Sequence, residues 1–157
     1  MANWIINELE VVCDNHAAEQ VQELLTVDGV FSFEAVLPIP AGFRIGEPVA
    51  GYPNEKVWCT EVWGTKWNAQ EIGELNVPAG AFGWYFSTGW TAPELWFREL
   101  NQRLSLLDGG NVVVMLSWAD PSNSTGYHMT RNAAGVVERV AMTKQEAIDF
   151  LGASEDE

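Results

Sequence analysis

Twice along this chain an alternating apolar segment leads straight into a capped amphipathic helix and out again into another strand. Few architectures accommodate that order. In residues 3–12, Ile5, Leu9 and Val11 share one face and Glu8 and Glu10 the other, the period of a half-buried strand. Asp14 offers an N-cap, and Ala17, Val21, Leu24 and Leu25 form the apolar stripe of a helix over 15–26 that stops before Asp28-Gly29. The second unit starts with a strand over 82–90. Phe82, Trp84, Phe86 and Thr88 share one of its faces, with Tyr85 and Ser87 opposite. Thr91 and Glu94 then have capping-box spacing, with Pro93 in the first turn. Trp96, Leu100 and Leu104 carry that helix to Asp108-Gly109-Gly110, and Val112 to Ala119 reads as a buried strand.

Between the two units the pattern is less regular. Phe31 to Leu37 reads as a short extended segment. Residues 38–56 form a surface excursion with Pro38, Pro40, Pro48 and Pro53, and with Gly42, Gly46 and Gly51. Phe43, Ile45 and Tyr52 give it something to pack, so it is a loop with a role and not a linker. Trp58 to Asn68 holds three tryptophans, and a strand over 69–77 follows, with a turn at Pro78-Ala79-Gly80.

Past the second unit, strands over 127–130 and 136–142 form a hairpin around Asn132-Ala133-Ala134-Gly135. Thr143 and Glu146 repeat the capping-box spacing for a last short helix, which reaches Leu151 and stops at Gly152. Residues 153–157 are an acidic tail expected to be disordered.

The order predicts one α+β domain over 1–152, a ferredoxin-like split βαβ. An antiparallel sheet would carry its two main helices on one face. The long Pro/Gly excursion, the C-terminal hairpin and the short helix are additions. The second face stays open unless the excursion or the hairpin covers it.

Charge narrows the function. Eight Lys and Arg stand against 22 Asp and Glu, a net charge of −14. That excludes the basic footprint of an ordinary nucleic-acid binder. Phe82-Gly83-Trp84-Tyr85-Phe86 alternates aromatics as an RNA-recognition strand does, but Gly80 stands where the leading Lys or Arg belongs. Residues 1–43 contain seven acids and no Lys or Arg. Glu19 and Glu23 sit four apart on the exposed side of the first helix. With Glu8 and Glu10 they are the candidate acidic contact, able to imitate phosphate spacing toward a basic groove.

Other chemistry is sparse. Cys13, Cys59, His16 and His128 have no metal-site spacing, and no phosphate loop or nucleophile elbow is present. The chain reads as non-catalytic, without cofactor or metal. No apolar run reaches the roughly 18 residues of a membrane span. Met1-Ala2-Asn3-Trp4 lacks the charged start of a secretory signal, so the cytoplasm is the expected location.

Trp63-Gly64-Thr65-Lys66-Trp67-Asn68 is the densest unusual cluster. Read as a recognition patch, its contact residues are Trp63, Lys66, Trp67 and Asn68. Read as a structural corner, the tryptophans plug the end of the sheet and Lys66 lays its stem over an indole, and the balance favours this.

The segment Trp58-Cys59-Thr60-Glu61-Val62-Trp63-Gly64-Thr65-Lys66-Trp67-Asn68-Ala69 resembles the signature of the YubB ferredoxin-like domain family. Weaker similarities lie at Met1-Ala2-Asn3-Trp4, at Leu37-Pro38-Ile39-Pro40 and at Phe86-Ser87-Thr88-Gly89-Trp90-Thr91-Ala92-Pro93. Together they span about residues 1–118. Ile5 stands where that family usually has a cysteine, and the last third matches poorly. The resemblance implies a ferredoxin-like fold without iron–sulfur chemistry and an origin in plasmids, phages or prophage-like islands. It implies no established activity.

The expectation is therefore an accessory protein of a mobile element that binds a host protein with a basic surface, with no nucleic acid and no membrane among its partners. Its acidic surface would mimic DNA and serve anti-defence or host modulation. The alternative is a small-molecule or peptide-binding module with a tryptophan-lined pocket under the 38–56 excursion.

Overall fold

Nine residues of alternating burial make Trp4–Val12 (β1) an inner strand, with Ile5, Leu9 and Val11 at 3%, 0% and 0% exposure. The computed structural model describes residues 3–107 and 111–155. Asp14 caps the helix Asn15–Leu25 (α1) by accepting from the Ala17 amide at 2.9 Å, and Ala17, Val21 and Leu25 are its buried face. A two-residue hairpin, Thr26–Val27 (β2) and Val30–Phe31 (β3), turns at Asp28-Gly29.

The extended reading of residues 31–37 holds only at its start. The Ser32 hydroxyl accepts from the Glu34 amide and starts a three-ten turn, Phe33–Ala35. A second such turn, Ala41–Ile45, interrupts the excursion. Asn54 then caps a helix that the sequence pattern does not announce, Glu55–Val62 (α2), through the Val57 amide at 3.0 Å.

The strands Gln70–Glu74 (β4) and Ala81–Gly89 (β5) form the next hairpin, and the helix Glu94–Leu104 (α3) follows. The expected capping box at its start does not form. Pro93 holds the N-cap position, the Thr91 hydroxyl donates to the Gly64 carbonyl, and the Glu94 carboxylate turns to Arg139. Asp108-Gly109-Gly110, expected to end this helix, lies outside the described residues.

Val113–Asp120 (β6), Thr125–Arg131 (β7), Val137–Ala141 (β8) and the helix Lys144–Glu155 (α4) complete the chain. The β7–β8 turn is pinned by Asn132, whose side-chain oxygen accepts from the Ala134 and Val136 amides. Thr143 and Glu146 do form their capping box, at 3.0 and 3.1 Å. Gly152 lacks the left-handed conformation that would end α4, so the helix runs past the expected stop to Glu155.

The result is an α+β fold. One six-stranded sheet has the order β4-β5-β1-β6-β7-β8, with every adjacent pair antiparallel. The core lies on the face of Leu9, Phe86 and Leu116, under α1, α2, α3 and the Phe33 turn. α4 packs on the opposite face over β6 and β7, where Ala147 is fully buried. The cover of that second face is thus the last helix and neither the excursion nor the hairpin. At the far edge the β4–β5 register slips between Gln70 and Gly73, and Glu71 takes φ +51°.

Candidate functional site: an acidic half-sheet and a tryptophan corner

Trp63, at the end of α2, is fully buried. Its indole N–H donates to the Leu37 carbonyl at 3.0 Å, and its ring meets Phe33 and Trp58 edge-on at 5.5 and 5.3 Å. Asn68 works inward as well. Its side-chain oxygen accepts from the Phe33 amide at 3.0 Å and its amide donates to the Ser32 hydroxyl at 2.9 Å. Trp67 packs on Trp4 at 5.4 Å and lies over Gly89, where a Cβ would come within 2.5 Å of the indole. Lys66 turns outward, with Nζ 4.8 Å from the ring of Trp90. Trp90 is exposed, takes φ +69°, and donates its amide N–H to the Asn3 carbonyl. Of the four candidate recognition residues, Trp63 and Asn68 tie the corner together, and Trp67 is half-buried against it.

The tryptophans expected to line a pocket under residues 38–56 fill that space. Trp58 and Trp63 belong to the core, and Leu37, Ile39, Phe43 and Tyr52 pack onto it from above. Four surface clefts have walls formed by other segments.

The four candidate acids do not form one surface. Glu19 and Glu23 are exposed on the outer side of α1, which covers the core face. Glu8 and Glu10 alternate with Leu9 and Val11 and so lie on the other face, in register with Ser117 and Met115 of β6. The sheet stands between the two pairs.

Topology brings together something else. Residues 67–97 contain Glu71, Glu74 and Glu94 and, like residues 1–43, no Lys or Arg. The order β4-β5-β1 sets strands of these segments side by side, with Arg44 paired to Glu34 and Lys66 over Trp90 at their margins. The cations of the C-terminal segments, Arg98, Arg103, Arg131, Arg139 and Lys144, sit on α3, β7, β8 and α4. Arg103 and Arg139 are paired, with Glu99 at 3.2 Å and Glu94 at 2.7 Å. Arg131 is buried and bonds neutral groups, the Asn101 side chain and the Val112 carbonyl, each at 2.6 Å.

Where these two segments without Lys or Arg meet, a cleft of about 390 Å³ opens between the end of α1 and the β4–β5 hairpin. Glu74 and Trp84 stand directly opposite each other on its wall.

The sequence pattern assigns His128 no partner. Across the β6–β7 pair, the Ser117 Oγ lies 2.7 Å from its Nδ1, and the Glu146 carboxylate of α4 is 3.9 Å from its Nε2. Ser117 opposes His128 in the ladder, so the period-two pattern around the turn at 120–125 carried the signal. Ser117 is 4% exposed, and the trio links α4 to the sheet. Hydrogen bonds from the Thr143 amide and hydroxyl hold the Glu146 carboxyl below its ordinary range, with His128 adding to them.

Burial, reinforced by Glu55 and Glu34, pushes the Cys59 thiol up to about 12. Among the described residues no group of three His, Cys, Asp or Glu is arranged to hold a metal ion, and no helix is long and apolar enough to cross a membrane.

No family model matches the chain, and no curated protein matches it. Among solved structures it is similar to the crystal structure of protein Api92 from Yersinia pseudotuberculosis, which is described under the family DUF1281. The TM-score is 0.54 at 11% identity, covering 71% of this chain. The matched part is 39% of that chain, and at this identity the likeness is one of fold. The class defined by fold and surface is an acidic α+β protein with a six-stranded antiparallel sheet.

Proposed function

We propose that this chain is a non-catalytic binding protein that takes a basic protein partner against the part of its sheet where two segments without Lys or Arg meet. One observation carries the reading: two segments without a single Lys or Arg, far apart in sequence, are neighbours in the order β4-β5-β1. Neutral solubility would be served by scattered charge. A one-sided field steers a basic surface to one place.

The strand order β4-β5-β1-β6, with α1 leaving β1 and α3 leaving β5, supports reading the core as a ferredoxin-like split βαβ to which β7, β8 and α4 are added. With the resemblance to the YubB family, the setting we propose is a plasmid or phage accessory acting on a host protein in the cytoplasm. Carboxylates would stand where DNA phosphates otherwise meet the partner's basic groove.

The test is affinity capture from host lysate at about 0.05 and about 0.5 M salt, where screening lengths differ several-fold. A partner retained at low salt and released at high salt supports the reading. Retention indifferent to salt overturns it.

A further inference from the structure

We propose that the cleft between the end of α1 and the β4–β5 hairpin seats a basic side chain, arginine or lysine, of the partner. The inference rests on the proposed basic partner, and it adds the place where that charge is held. Gln22, Thr26, Glu74, Phe82 and Trp84 are among the lining residues, and every lining residue belongs to segment 1–43 or segment 67–97.

Three features of the walls suit a cation. Glu74 is exposed and, among the described residues, takes part in none of the ion pairs, which join Arg44 to Glu34, Arg103 to Glu99, His128 to Glu146 and Arg139 to Glu94. Trp84 opposes Glu74 in the ladder and is half-buried. Its ring is fixed by stacking on Phe31 at 4.9 Å and by the edge of Phe82 at 5.8 Å, so an indole beside a carboxylate is held ready for a planar cation. The last turn of α1 carries no basic residue, so no cation of its own offsets the negative end of its dipole. Glu23 and Asp28, both exposed, flank the lining residues in sequence.

The molecule contains a precedent for this chemistry. The Arg139 guanidinium lies 3.8 Å over the ring of Tyr127 and is bonded by Glu94 at 2.7 Å. There a carboxylate and an aromatic face are satisfied by the chain's own cation. The Glu74–Trp84 wall repeats the pair, and its segments supply no cation to fill it.

The test is a titration of the isotope-labelled chain with a blocked tetra-arginine peptide and with its tetra-citrulline counterpart, followed by amide resonances. The arginine peptide should move the amides of Gln22, Thr26, Gly29, Leu75 and Gly83, and citrulline should leave them in place. Glu74→Gln should weaken arginine-peptide binding about 5-fold, the size of one partly exposed charge pair. Glu74 lies on an exposed edge, so the variant keeps its fold, checked by circular dichroism.

Equal response to citrulline, an unchanged affinity in Glu74→Gln, shifts confined to the Glu8–Glu10 face, or no binding overturns the inference. If lysate capture remains salt-sensitive in that case, the basic-partner reading stands and the contact lies elsewhere. If capture is indifferent to salt while the peptide still fills the cleft, that reading falls and the cation site stands.

Discussion

The Trp63 indole N–H donates to the Leu37 carbonyl at 3.0 Å, a bond across 26 residues that joins the start of the Pro/Gly segment to the end of α2. It explains how a stretch with so little regular structure holds its shape. The Phe33 turn below it is fixed from the same corner by Asn68, so the entry to the irregular segment is tied at two points to one six-residue motif.

Trp63→Ala should cost about 3–5 kcal/mol, the range for a large aromatic removed from a core. Trp63→Phe keeps much of the apolar surface and leaves the Leu37 carbonyl unpaired, a loss of about 1–3 kcal/mol. Urea unfolding of the two variants measures both. An Ala variant as stable as the parent would show that the corner is not structural.

Glu19→Lys with Glu23→Lys should leave stability within a few tenths of a kcal/mol, because like charges four apart on a helix repel only weakly. Both acids are exposed on α1, in the first of the two segments without Lys or Arg. Association with the captured basic partner should slow by about 10-fold at low salt and converge with the parent at high salt. Stopped-flow association rates check this. An unchanged rate would confine the contact to another part of those segments.

Cys59 should lower alkaline stability. Its folded pKa of about 12 lies above the ordinary thiol value, so the folded state keeps a proton that the unfolded state releases. The contribution is fully present below about pH 8.5 and is lost as pH rises toward 12. Melting temperatures between pH 8 and 11 should fall less steeply in Cys59→Ala than in the parent. Native Cys59 should also react slowly with a disulfide reagent at pH 8, while the half-buried Cys13 reacts faster.

Thr143→Ala should loosen α4 by about 1 kcal/mol, the value of a lost N-cap. Hydrogen exchange should quicken over Lys144–Phe150, with β1 unchanged. Because Thr143 holds the Glu146 carboxyl below its ordinary value, this part of the docking is complete above the usual glutamate range and is lost as pH falls through the lowered value. Protection of α4, corrected for the intrinsic exchange rate, should therefore decline as pH falls below the usual glutamate range.

What could be read from the residues was whatever depends on near neighbours. β1, α1, β5, α3 and the β7–β8 hairpin follow from alternation, caps and turn residues within a few positions of one another. α2 is hidden because its eight residues carry a weak apolar stripe between a Pro/Gly run and a tryptophan cluster, although Asn54 is there as a cap. Asn68 looks like a surface polar group because its partner, Phe33, lies 35 residues away. The division of Glu8 and Glu10 from Glu19 and Glu23 depends on which face α1 packs against, and tertiary packing decides that. The meeting of the two segments without Lys or Arg is half visible: residues 1–43 stand out, but only strand order sets residues 67–97 beside them.

The slipped register of β4, with Glu71 in the left-handed region and carboxylates at Glu71 and Glu74, makes that edge a poor template for another strand. β8, at the opposite border, pairs with β7 in unbroken register from Val137 to Ala141. A strand added from a peptide or a second copy would therefore meet regular main-chain geometry at β8, and at the border nearest the acids it would meet side chains first.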